Sequence, residues 1–82
     1  MTLNDAERQG LREALTLLSS GAASAFEYQL WVTFGDRWTR VRAALATDRV
    51  IAPGPGGSWA ITRAGEDLRG SLQQAWALSG SK

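Results

Sequence analysis

The sequence predicts a mainly α fold with a small β-hairpin, in the order helix, helix, helix, strand, strand, helix. Three observations lead there. Apolar residues recur at helical spacing in four stretches, each preceded by a residue able to cap a helix. The second and third stretches are separated only by Phe34-Gly35-Asp36, and the third and fourth by two short apolar runs around Gly54-Pro55-Gly56-Gly57-Ser58.

Asn4 followed by Glu7 is a capping box, in which the Asn side chain accepts an orphan amide proton and the Glu carboxylate reaches back to the Asn amide. Leu11, Ala14, Leu15 and Leu18 then share one face until Ser19-Ser20-Gly21 stops the run, which places the first helix over about 5–19. Ser24 with Glu27 repeats the start signal. Phe26, Leu30, Trp31 and Phe34 follow on one side, predicting a second helix over about 23–34.

Asp36 suits the cap of a third helix, over about 37–47, because its carboxylate complements both the free amides and the positive end of the dipole. Trp38, Val41 and Leu45 define the buried stripe of this helix. Gly35 between the two helices is available for a positive backbone angle, so the pair reads as helix–turn–helix.

Val50-Ile51-Ala52-Pro53 and Trp59-Ala60-Ile61-Thr62 read as the strands of a hairpin over 50–62. Trp59 and Ile61 face the same side, and Pro53, which lacks a ladder donor, ends its strand. Thr62 caps a last helix over about 63–78 whose Leu68, Leu72, Ala75 and Trp76 form a stripe, with residues 79–82 expected to fray.

Eighty-two residues make one small domain, so the four Trp with Phe26 and Phe34 must supply much of the packing. Trp38, Trp59, Phe26 and Phe34 are expected in the core, while Tyr28, Trp31 and Trp76 fit it less well. The chain contains neither Cys nor His, which removes thiol, imidazole and Cys/His zinc chemistry. No metal site or cofactor is expected. Glu66 and Asp67 are adjacent, diverge on a helix and suit its positive end rather than a catalytic pair. The Gly54–Gly57 loop is followed by neither Lys-Ser/Thr nor a helix start, so it is not a phosphate cradle. A non-enzymatic protein is the expectation. No apolar run approaches the length of about 20 residues that spans a bilayer, and Asp5 and Glu7 replace the basic start of a signal peptide. No membrane partner and a cytoplasmic location follow as expectations.

The run Trp59-Ala60-Ile61-Thr62-Arg63-Ala64-Gly65-Glu66-Asp67-Leu68, closing this order of elements, resembles the winged helix-turn-helix superfamily, small prokaryotic or phage members in particular. There a strand ending in aromatic-x-apolar-Thr leads into x-x-Gly-x-x-Leu at the start of the last helix. The step from Ala44-Leu45 to Val50-Ile51 is similar to the one joining recognition helix to wing. The resemblance covers roughly residues 5–78. It implies duplex DNA as partner, with the third helix in the major groove and the hairpin as a wing on the backbone or minor groove.

The net charge of +1 conceals a basic segment, residues 36–49, with Arg37, Arg40, Arg42 and Arg49 against Asp36 and Asp48. A projection at 100° per residue sets Thr39, Arg40, Ala43 and Thr47 opposite the buried stripe, with Arg37 and Arg42 on the flanks. Such a face suits a groove: Arg40 can fork onto a guanine edge, the Thr and Ala methyls can meet a thymine methyl, and the flanking Arg can hold phosphates. Arg49 and Arg63 stand at the base of the hairpin, whose tip, 53–58, has no cation. The competing reading is a plain solvated face in which Asp36 and Arg40 form an i,i+4 pair.

Two functions follow as expectations. One is duplex-DNA binding as a transcriptional regulator. The other is a protein-binding inhibitor of the phage or anti-CRISPR type that blocks a host complex; near-neutral charge, an uncharged loop and surplus aromatics speak for it. A homodimer is expected through Leu72, Trp76 and Leu78 on the projecting part of the last helix, the alternative being a monomer in which Trp76 folds back on Leu11 and Leu15.

Overall fold

The computed structural model describes the backbone of residues 3–80 and the side chains of residues 3–72. The order of elements is α1 (Asp5–Ser19), α2 (Ala23–Phe34), α3 (Trp38–Thr47), β1 (Ile51–Pro53), β2 (Trp59–Ile61) and α4 (Arg63–Gly80). It is mainly helical with one two-stranded antiparallel hairpin, as the periodicity predicts. Among the described residues no helix is long and apolar enough to cross a membrane.

The capping box of α1 forms in both directions: Glu7 N donates to Asn4 Oδ1 at 2.8 Å, and Asn4 N to Glu7 Oε1 at 3.1 Å. At its other end Gly21, at φ +88°, turns the chain. Gly21 N donates to Leu18 O and Ala22 N to Leu17 O, the two bonds of a Schellman closure. Helix α2 has the bounds expected, Ala23–Phe34, but that closure rules out Ser24 as its cap. Only Ala22 is left to precede the helix, so Ser24 lies inside the first turn and α2 begins with no side-chain cap.

Between α2 and α3, Gly35 takes φ +60° as the turn requires, but Asp36 does not cap. Gly35–Arg37 form a 3-10 turn that runs straight into α3, leaving Arg37 at φ −82°, ψ −3° before the first helical residue, Trp38. A chain that is already helical there has no extended residue from which a carboxylate can fold back on the next amides.

Strands β1 and β2 pair with Ile51 opposite Ile61 and Pro53 opposite Trp59, one residue shorter at the outer ends than expected. The loop holds a 3-10 turn at Pro55–Gly57, closed by Gly54 N donating to Ser58 O at 2.6 Å. Thr62 caps α4 as expected, its Oγ1 accepting from Gly65 N at 3.0 Å. Helix α4 continues through Ser79 and Gly80, two residues beyond the end at 78 that the sequence predicts; Ser81 and Lys82 lie outside the described residues.

The core is one cluster. Leu11, Ala14, Leu15 and Leu18 of α1 meet Phe26, Leu30 and Phe34 of α2, Val41 and Leu45 of α3, and Val50 and Ile51. Helix α1 is central because two of its neighbours come very close. Gly10 is buried against α2, where an added Cβ would fall 2.8 Å from Cβ of Thr33 and nearer still to its Oγ1. Leu68 and Leu72 of α4 pack on the same cluster, and Ser19 Oγ donates to Glu66 Oε2 at 2.7 Å across the end of α1 and the start of α4.

Three aromatic expectations change. Trp31 leaves the buried stripe and is 52% exposed, because Phe26, Leu30 and Phe34 alone face α1 and the core. Trp38 and Trp59 are partly buried at the edge of the cluster instead of inside it, with an Arg guanidinium covering them.

Candidate nucleic-acid interface

Helix α3 turns Val41 and Leu45 into the core and leaves Thr39, Arg40, Ala43 and Thr47 exposed, so the four residues expected to form its outer face do share it. Among the described residues Arg40 enters no ion pair or side-chain hydrogen bond, and the Asp36–Arg40 pair of the competing reading does not form. A guanidinium left in water on a helix face of short side chains keeps all five donors for an external acceptor.

The flanking cations behave differently. Arg42 is turned aside to Glu27 of α2, at 2.6 Å from its Oε2, and its Cζ lies 4.8 Å from the ring centre of Trp38 and 6.0 Å from that of Trp59. Arg42 therefore joins α2, α3 and β2 through one planar group, an arrangement suited to Arg because its weakly hydrated plane stacks on indole while its edge binds a carboxylate. The sequence reading placed it on phosphates. It missed the partner because Glu27 and Arg42 lie on different helices, and only the crossing of α2 over α3 brings them together.

Arg37 pairs with Glu7, joining the start of α3 to the first turn of α1, and its Cζ lies 5.9 Å from the Phe34 ring. Glu7 carries two loads, since its other oxygen closes the capping box. The Asn4 amide first, and the Arg37 guanidinium second, hold its carboxyl below the usual range. Arg37 is nonetheless largely exposed and can share its remaining donors.

Arg49 and Arg63 flank the hairpin, both exposed and, among the described residues, outside any ion pair. Arg49 occupies the left-handed position that closes α3: φ is +60°, its amide donates to Ala46 O at 3.1 Å, and Val50 N donates to Leu45 O at 2.8 Å. Gly normally takes this place in a Schellman closure, so a long cation is held there at a conformational cost of roughly 1 kcal/mol. The Arg49 carbonyl accepts from Thr62 Oγ1, which locks the base of the hairpin to the end of α3.

No family model, curated protein or solved structure matches the chain.

Of the residues expected in a dimer contact, Leu72 is partly buried against the core and lines a groove of about 390 Å³ with Leu3, Leu11, Leu45, Val50 and Leu68. The side chains of Trp76 and Leu78 lie outside the described residues. The exposed apolar surface that is described lies elsewhere, on α2: Tyr28, Trp31 and Val32 are 65, 52 and 54% exposed.

Proposed function

We propose that this chain is a non-enzymatic, cytoplasmic, winged helix-turn-helix protein that binds duplex DNA and regulates transcription, with α3 as the groove-reading helix. The observation that carries the reading is Arg40: exposed, outside every described ion pair, and set among Thr39, Ala43 and Thr47 on one helix face. Arg49 at the end of α3 and Arg63 at the start of α4 are the candidate phosphate contacts, with Arg37 before the first turn of α3 as a shared one. Arg42 drops out of the contact set and becomes the post that fixes the hairpin relative to α3. The hairpin tip has no cation, so α3 provides most of the electrostatic attraction, and binding is weak, with the modest salt dependence of a few phosphate contacts. Fluorescence anisotropy of a labelled random duplex, titrated at rising salt, tests this. The expected result is binding at low salt with a slope in log K against log salt of roughly −2 to −4, from two to four neutralised phosphates. No binding at 20 mM salt overturns the reading. The protein-binding alternative, an inhibitor that docks on a host complex, gains support from one observation, the exposed aromatic face of α2.

A further inference from the structure

Arg37, just before α3, and Arg40, in its first turn, border one hollow of about 160 Å³ with Leu3, Phe34 and Val41. The two cations stand together but are not equivalent. Arg40 joins no ion pair among the described residues, whereas Arg37 gives its Nη2 to Oε2 of Glu7 on the first turn of α1. That acid is held from behind. Its other oxygen, Oε1, accepts from Asn4 N at 3.1 Å, and its own amide donates to Asn4 Oδ1 at 2.8 Å, so the capping box fixes the carboxylate in place. The Glu7 side chain is 14% exposed and that of Arg37 62%. An anchored, enclosed acid therefore meets a cation that lies mostly in water.

We propose, resting on the reading of α3 as the helix that meets DNA, that Glu7 competes with the DNA backbone for Arg37 and so holds down binding to duplex of any sequence. A carboxylate oxygen and a phosphodiester oxygen take the same charge-assisted bond from a guanidinium. The carboxylate is tethered beside Arg37, so a phosphate must displace a partner that is always at hand. Arg40 stands outside this exchange. Phosphate contacts carry no sequence information, whereas a contact to a base edge does. Withholding Arg37 while leaving Arg40 free thus lowers sequence-blind attraction by about one phosphate contact and spares the cation at the centre of the α3 face. Glu7, on a helix that the groove-reading face does not include, then sets the balance between specific and non-specific binding.

Anisotropy titrations of a labelled random duplex over a range of salt, on the wild type, Glu7→Gln, Arg37→Ala and the double variant, test the competition. Gln removes the charge but keeps the capping box, because its amide oxygen can still accept from Asn4 N. Glu7→Gln should bind roughly fivefold tighter at low salt, with a slope steeper by about one as Arg37 gains a phosphate. Glu13→Gln removes the same charge from an exposed position of α1 that faces no Arg of α3, and should gain less than about twofold. Arg37→Ala should change wild-type affinity by less than about twofold, yet cancel the whole gain in the double variant, since the two residues act as one pair. A wild type that binds while Glu7→Gln gains no more than Glu13→Gln leaves the DNA reading standing and overturns the competition. So does a weaker Glu7→Gln, which would make Glu7 the support that aims Arg37 at the backbone. A wild type that binds no duplex removes the DNA reading itself, and the competition with it.

Discussion

Gly65 stands against the backbone carbonyl of Val50 so closely that a Cβ at this position would fall inside the contact distance of the oxygen and 2.6 Å from Cγ1 of Ile61. The same carbonyl accepts from Thr62 N at 3.1 Å and lies 3.0 Å from Thr62 Oγ1, whose single proton is shared between it and the Arg49 carbonyl. Thr62 and Gly65 thus clamp the first turn of α4 onto the end of α3 and the start of the hairpin, and this gives the spacing Thr-x-x-Gly-x-x-Leu a physical meaning. Thr caps, Gly permits the approach, and Leu68 reaches the core.

Gly65→Ala should therefore cost at least about 2 kcal/mol, because the obstacle is backbone and a main-chain shift is needed to relieve it. Chemical denaturation of the variant beside Gly70→Ala checks this. Position 70 is open, and Ala there should stabilise slightly through helix propensity. A Gly65→Ala variant as stable as the wild type would show that α4 can slide without loss.

Arg49→Gly separates stability from binding. Gly accepts φ +60° without strain, so the variant should melt higher by a few degrees, while losing one cation beside the groove-facing helix. Duplex affinity should fall and the salt slope should shrink by about one. Unchanged affinity would remove Arg49 from the interface.

Acid should loosen the helix starts. The Asn4 amide and Arg37 hold the Glu7 carboxyl below its usual range; the Ser19 hydroxyl, then Arg69, do the same for Glu66. In each case the unfolded chain takes up the proton at higher pH than the folded one, so the stabilisation is complete above the ordinary Glu range near pH 4.3 and declines as pH falls through and below it. Melting temperature measured from pH 6 down to pH 2.5 should fall less steeply for Glu7→Gln/Glu66→Gln than for the wild type. Parallel curves would mean that other carboxyls govern acid unfolding.

Arg42 is assigned a structural task. Arg42→Lys keeps the charge facing Glu27 but loses the flat stack on Trp38 and Trp59, and should cost on the order of 1 kcal/mol, with the indole fluorescence shifted to the red. If stability holds while duplex binding collapses, Arg42 belongs on the DNA after all.

The helix boundaries were legible because they are set locally: a capping box and apolar spacing define α1, Thr62 defines the start of α4, and Gly35 marks the bend. Asp36 and Ser24 misled for a local reason too. Each has the right chemistry for a cap, but the preceding turn leaves it already helical. What the sequence hides is the relation between elements. The Glu27–Arg42 pair spans fifteen residues and two helices, and Trp31 lies near enough to the buried stripe at helical spacing to be mistaken for part of it. The same ambiguity hides the surplus apolar surface in the sequence: the pattern points to α4, whereas α2 carries the described exposed aromatics. The outer face of α3 was legible in full, since one buried stripe on a ten-residue helix determines which side is left for a partner.

Replacing Arg40 by Ala tests the central claim most directly. Arg40 is exposed and joins no described ion pair, so the substitution leaves the fold alone: the melting temperature should stay within about 1 °C of the wild type, as for an exposed site. Affinity for a labelled duplex at low salt should nevertheless fall roughly tenfold, equivalent to about 1.4 kcal/mol, through the loss of the central contact of the α3 face. Wild-type affinity in Arg40→Ala, or a loss of binding matched by a loss of thermal stability, would contradict the assignment of α3 as the helix that meets DNA.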